Sequence, residues 1–511
     1  MLLVATLYAL ALGVLLVYGL NHLALALRFA RRARQGSGSA ESSPARAVWP
    51  TITVQLPLYN EHAVAERLID ACAQLDYPAD RLDIQVLDDS TDVTRALVAQ
   101  RVAYWQDRGV PIRHLHRADR SGFKAGALAA GLDTAHGEFV AIFDADFIPA
   151  PDVLTRLLAG FEGGPQIGLV QARWGHLNAK ASWLTRAQAL LLDTHFVIEQ
   201  GVRDASGWFI NFNGTAGLWR RACIDDAGGW RAATLTEDLD LSFRAQLRGW
   251  RLRYLGDIEV PAELPETFSA WRQQQFRWTK GTAETARLLA GPVWRAPLSR
   301  GAKLEAMLHL TSGIVYPAIL LAALTHPLVL VAHALRLGVS DAILALMAPG
   351  VLGLAGVAGA HLLAQHHLYP DALRRLWAFP LFLASTLGLA VNNTRGVIEA
   401  LRGRTSAFMR TPKRGDAAPP TAGAYVGGDG AAPPPRPSGW QQVRWVELAL
   451  TLYSAVGLLA ILATGVYAAL PFQALFTLGF GMAAFGDLVT APRTSLPTVT
   501  WTELTAREAM A

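Results

Sequence analysis

Two aspartates separated by one residue, Asp144 and Asp146, end the apolar run 139–143 in F-V-A-I-F-D-A-D. In an extended segment, residues i and i+2 project to the same side, so two carboxylates could share a hard divalent cation such as Mg²⁺ or Mn²⁺. Such an ion would neutralise a departing diphosphate. A second acidic pair, Asp88 and Asp89, ends the run D-I-Q-V-L at 83–87. Lys124 lies in the basic, glycine-containing stretch R-A-D-R-S-G-F-K-A-G and is long enough to reach phosphate oxygens as a point charge.

Further along, T-L-T-E-D-L-D-L-S-F-R-A-Q-L-R-G at 234–249 reads as a helix with Leu239, Phe243 and Leu247 as its buried stripe. Thr236 is its expected cap, with Glu237, Asp238 and Asp240 in the first turn, where the helix dipole favours ionised carboxylates. A carboxylate held ionised at a cleft can act as a general base. In Q-Q-Q-F-R-W-T-K-G, residues Gln274, Arg277 and Trp278 stand at i, i+3 and i+4 and share one helix face. That face offers an amide, a fixed cation and a flat ring, groups suited to a sugar or a sugar phosphate. An interfacial amphipathic helix would carry the same residues.

Strand-like runs at 51–56, 83–87, 112–115 and 139–143 alternate with helical patterns, and this predicts a mostly parallel, doubly wound α/β sheet. Ligands of such sheets bind beyond the carboxyl ends of the strands. The acidic clusters fall at those ends. So does the loop containing Pro57, Tyr59, Asn60 and Glu61, which follows the first strand.

The 511 residues are 52% hydrophobic and only 17% charged. The apolar excess is concentrated at 1–27, 308–334, 341–364, 377–391, 446–470 and 471–486, runs near the roughly 20 residues that cross a bilayer as a helix. The expected plan is an anchor at 1–30, a domain at 50–282, helix pairs at 300–366 and 443–491, and a linker rich in Ala, Gly and Pro at 416–440. The basic stretch at 395–415 favours an interfacial helix over 377–402 by the positive-inside rule. Arg28, Arg31, Arg32 and Arg34 by the same rule place the domain on the cytoplasmic side of the membrane. Two cysteines, Cys72 and Cys223, provide neither a disulfide framework nor a metal cluster. The net charge of +5 gathers near membrane edges and suits lipid headgroups rather than nucleic acid.

The order D-D, D-x-D, T-E-D, Q-x-x-R-W, followed by membrane spans, resembles the processive membrane-embedded glycosyltransferases of family 2, above all the cellulose-synthase-like mannan and glucan synthases. The resemblance implies a GT-A type nucleotide-sugar-binding domain and an inverting β-glycosyltransferase. A hexose would pass from UDP-glucose or GDP-mannose to a growing glycan, with the product crossing the membrane. It implies that Asp238 is the base and that Asp144 and Asp146 hold the metal. Pro57, Tyr59, Glu61, Asp88, Asp89, Lys124 and Asp144 would contact the nucleotide. Phe212, Asn213, Gly214, Thr236, Glu237, Gln274, Arg277 and Trp278 would serve the acceptor and the diphosphate. Phe408, Thr411 and Lys413 would belong to a gating loop. A membrane lipid remains the alternative acceptor, and the identity of any export partner stays open.

Overall fold

The computed structural model describes residues 1–35, 49–339, 345, 347–406, 411, 413 and 438–490. A seven-stranded sheet runs in the order β3-β2-β1-β4-β6-β5-β7. Its strands are β1 Ile52–Leu58, β2 Leu82–Asp88, β3 Ile112–His116, β4 Phe139–Ile142, β5 Ile167–His176, β6 Gly217–Arg220 and β7 Arg251–Ala262. β1, β2, β3 and β4 pair in parallel, as do β5 and β7; β6 alone runs antiparallel between β4 and β5.

The expectation of a mostly parallel doubly wound sheet holds, and the reason is burial on both faces. Every residue of β1 is buried, Thr53 and Gln55 included, as expected of a parallel strand covered on both faces. One face packs on the helix His62–Ala73 through Val64, Leu68 and Ile69. On the other, Leu128 and Trp230 pack with Trp219 of β6.

Among the described residues, three helices are long and apolar enough to cross a membrane: Leu2–Arg34, Ser312–Ala334 and Val443–Thr464. Helices also form at Met347–Leu368 and Leu470–Val489. The first of these approaches Leu2–Arg34 closely. A Cβ on Gly19 would lie 2.4 Å from Cα of Gly353, so only glycine permits the two backbones to touch. The single helix expected over 377–402 is instead two, Ala372–Gly388 and Ala390–Leu401, meeting at 46°. Most of the expected linker at 416–440 lies outside the described residues.

Candidate active site

The cleft opens at the carboxyl ends of β1, β2 and β4 and encloses about 170 Å³. Pro57, Tyr59, Glu61 and Asp89 line one end. Asn60 makes the turn there with φ +53°, and its backbone N–H donates to Ser90 Oγ at 2.8 Å. Asp89 is gripped by Arg117 through two hydrogen bonds of 2.8 and 2.6 Å. The Arg120 guanidinium stacks 3.4 Å from the centre of the Tyr59 ring, a cation–π contact that fixes the wall of the cleft.

At the centre, Lys124 donates to the Asp144 carboxylate and, at 2.8 Å, to the Gly214 carbonyl. Asp144 receives its own support from Thr215 Oγ, which accepts from the Asp144 N–H at 2.9 Å. The residues 144–146 lie past the end of β4 in a turn rather than in the extended strand that the D-x-D spacing suggested. Asp144 pairs with Lys124 and Asp146 with Lys413.

Asp238 faces this group from the helix Glu237–Leu247. Gly214, at φ +85°, lies beside it: a Cβ there would meet Asp238 Oδ2 at 3.0 Å and Lys124 Nζ at 3.4 Å. Asp238 therefore reaches the cleft because residue 214 has no side chain. The expected cap is absent. Thr236 occupies the cap position but makes no side-chain cap bond, and its hydroxyl meets Thr285 Oγ at 3.4 Å. Gly281 lets the helix Phe268–Arg295 pass within touching distance of Thr236.

The first-turn dipole does not set the charge of these carboxyls. Desolvation, then the neighbouring Glu237 carboxylate, pushes Asp238 up to about 7. Burial likewise raises Glu237. Burial opposes the Lys124 ammonium, but Asp144, Glu237 and Asp238 outweigh it and leave its pKa raised. A charged lysine beside a carboxyl that burial pushes well above its usual range is the arrangement that results.

Gln274, Arg277 and Trp278 line the cleft together from one face of Phe268–Arg295. Trp278 also lines a second cavity of about 480 Å³ set among the apolar helices. It packs with Leu192 and Leu264, and its ring centre lies 6.4 Å from that of Trp174. Asn213 is held from below: Gln200 donates to its Oδ1 at 2.9 Å, and its Nδ2 lies 3.0 Å from His195 Nε2. Both partners come from a π-helical turn, His195–Gln200.

Residues 50–281 match the family described as Glycosyltransferase like family 2. They are a family 2 glycosyltransferase domain. Over 251 residues the chain is 47% identical to glucomannan 4-beta-mannosyltransferase 2 of Arabidopsis thaliana, covering 48% of this chain and 47% of the relative. It is 42% identical over 285 residues to probable glucomannan 4-beta-mannosyltransferase 4 of Oryza sativa subsp. japonica, covering 54% of this chain and 51% of the relative. The chain thus spans about half the length of the curated relatives it matches. Among solved structures, the mannosyltransferase PcManGT from Pyrobaculum calidifontis in complex with GDP-Man and Mn²⁺ shares the fold. The TM-score is 0.50 and the identity 20%, over 76% of this chain and 99% of that one.

Two residues expected at the site, Asp88 and Phe212, do not line the cleft. Asp88 does not reach the cleft. It is fully buried against β3, accepting from the Ser90 N–H at 2.8 Å and sitting 2.8 Å from His114 Nε2. Phe212 is also fully buried and packs edge-on against Trp219 in the core; its backbone N–H donates to Ser242 Oγ at 2.8 Å, which steadies the loop rather than a ligand. Phe408 lies outside the described residues, whereas Thr411 and Lys413 line the cleft.

Among the cleft-lining residues that the motifs do not mark are Arg120, Trp174, His176 and Glu263. His176 Nε2 lies 3.0 Å from Asp193, which also accepts from Gln365 at 2.8 Å. Alternation along β5 could have found Trp174 and His176, which share one strand face. Nothing local marks Glu263, which is held by Arg67 at 2.7 Å.

Proposed function

We propose that this protein is an inverting β-hexosyltransferase that extends a polysaccharide from a nucleotide sugar and feeds the product into the cavity beneath Trp278. The single observation that carries this reading is the placement of Asp238. It stands against Gly214 and Lys124 in a cleft that meets a second cavity, set among the apolar helices, at one tryptophan. With Asp238 as the base and the acceptor hydroxyl as the nucleophile, the reaction is a single displacement at the anomeric carbon, with inversion. Asp238 takes the proton of the attacking hydroxyl, while Lys124 and Arg277 bring positive charge to the leaving side.

Asp144 and Asp146 supply only carboxylate oxygens, which fits Mg²⁺ or Mn²⁺ rather than a softer ion. When bound, such an ion would offset the charge that develops on the nucleoside diphosphate. The curated relatives are named as glucomannan 4-beta-mannosyltransferases, which supports a mannosyl donor such as GDP-mannose ahead of UDP-glucose. The cytoplasmic placement of the domain rests on the arginine cluster of residues 28–34.

A second reading has its own observation. The larger cavity is lined chiefly by apolar side chains, among them Leu12, Leu15, Ile319 and Phe476, which suits a lipid acceptor. Detergent-purified protein with Mg²⁺ or Mn²⁺, offered GDP-mannose and UDP-glucose separately, tests both. A β-linked polymer formed with release of nucleoside diphosphate supports the synthase. A single sugar on lipid moves the protein to the second reading, and no turnover with either donor overturns both.

A further inference from the structure

His114 and His116 alternate with Leu115 along β3, so both side chains leave the same face of this edge strand. The register of β2 on β3 sets Asp88 beside His116 and Val86 beside His114. Three donor atoms converge as a result. Nε2 of His114 lies 2.8 Å from Oδ2 of Asp88, and Nδ1 of His116 lies 3.8 Å from the same oxygen. All three ligand atoms fall within 4.8 Å of one another. Nδ1 of His116 is buried and has no hydrogen-bond partner. None of the three residues lines the catalytic cleft.

We infer that Asp88, His114 and His116 form a second cation site, built for a borderline transition ion such as Zn²⁺ and separate from Asp144 and Asp146. Two imidazoles and one carboxylate are a zinc donor set with the fourth position left to water. Mg²⁺ prefers oxygen ligands and would not select them. With bonds of about 2.0–2.1 Å, the ligand atoms of a tetrahedral ion stand about 3.3 Å apart, between the two distances measured. Oδ1 of Asp88 is engaged by the Ser90 N–H, which leaves Oδ2 for the ion.

The site has a structural consequence for the cleft. Asp89 and Arg117, the ion pair at the cleft's rim, directly follow the ligands Asp88 and His116 in the chain. The Arg117 N–H also donates to the Asp88 carbonyl at 3.0 Å. An ion joining β2 to β3 behind this pair would hold Asp89 and Arg117 in register.

The test uses full-length, detergent-purified protein without a polyhistidine tag, in excess Mg²⁺ to fill the carboxylate site. Co²⁺ is titrated and read by the visible band of a four-coordinate ion; Zn²⁺ is titrated by calorimetry and by thermal unfolding. One equivalent of each should bind, and Zn²⁺ should raise the unfolding midpoint. His114→Gln and His116→Gln should each weaken binding at least tenfold, whereas His136→Gln, on the exposed end of another loop, should not. Circular dichroism of the variants confirms that they fold. Absence of the Co²⁺ band in the unmodified protein, or binding that survives both substitutions, overturns the site.

Discussion

Lys413 places its ammonium group on the carboxylate of Asp146, 267 residues earlier in the chain. A divalent ion that binds Asp146 must displace that ammonium. Lys413→Ala removes the competitor. A hydrogen bond to a charged group contributes about 1.5 kcal/mol or more, so the Mn²⁺ concentration for half-saturation should fall about tenfold. Titration followed by electron paramagnetic resonance reads this directly, and unchanged or weaker binding would refute the competition.

Asp238 should impose a pH dependence on both turnover and stability. Its carboxyl stands at about 7 in the fold against an ordinary 3.8. As a base it works ionised, so turnover should climb with pH through about 7. The unfolded chain loses this proton at the ordinary value and the folded chain later, so the group makes stability fall as pH rises across that window. Asp238→Asn should lower turnover by about 10²- to 10⁴-fold. It should also unfold at a higher temperature than the unmodified protein at pH 8, with the gap closing near pH 4. A wider gap at pH 4 would show that the carboxyl is not held protonated.

Trp278 lines both cavities, and in the proposed function it stands between donor and product. Trp278→Ala should cut polymer formation at least tenfold, the equivalent of about 1.4 kcal/mol of lost ring contact, with donor affinity within twofold. Product sizing alongside calorimetry of nucleotide binding separates the two. Equal losses in both would mean that the ring supports the donor end.

Arg272 and Glu447 join the helix Phe268–Arg295 to Ser438–Thr464 by a buried pair at 2.9 Å. Removing one partner strands the other charge. Glu447→Gln or Arg272→Ala should therefore destabilise the protein by about 3–5 kcal/mol, seen as a lower unfolding midpoint in detergent. The joint change Arg272→Met with Glu447→Leu should recover most of that loss. A double variant no more stable than the singles would contradict this account.

Local pattern was sufficient for much of this protein. The strand ends that carry Asp89 and Asp144 follow from runs of apolar residues with acidic stops. The shared face of Gln274, Arg277 and Trp278 follows from helical spacing, which is a property of the backbone and needs no partner. Long-range contacts decided the rest. Asp88 and Asp89 are indistinguishable as neighbours in a motif, yet strand pleating turns the first toward the histidines of β3 and the second toward the cleft. A first-turn position suggested an ionised Asp238, but desolvation by the surrounding elements outweighs a dipole effect of about 1 kcal/mol. The D-x-D spacing placed two carboxylates together, while the lysines that pair with them arrive from a preceding helix and from Lys413 far along the chain. Periodicity records what a residue's own element does with it; charge, burial and contact depend on which other elements the fold brings against it.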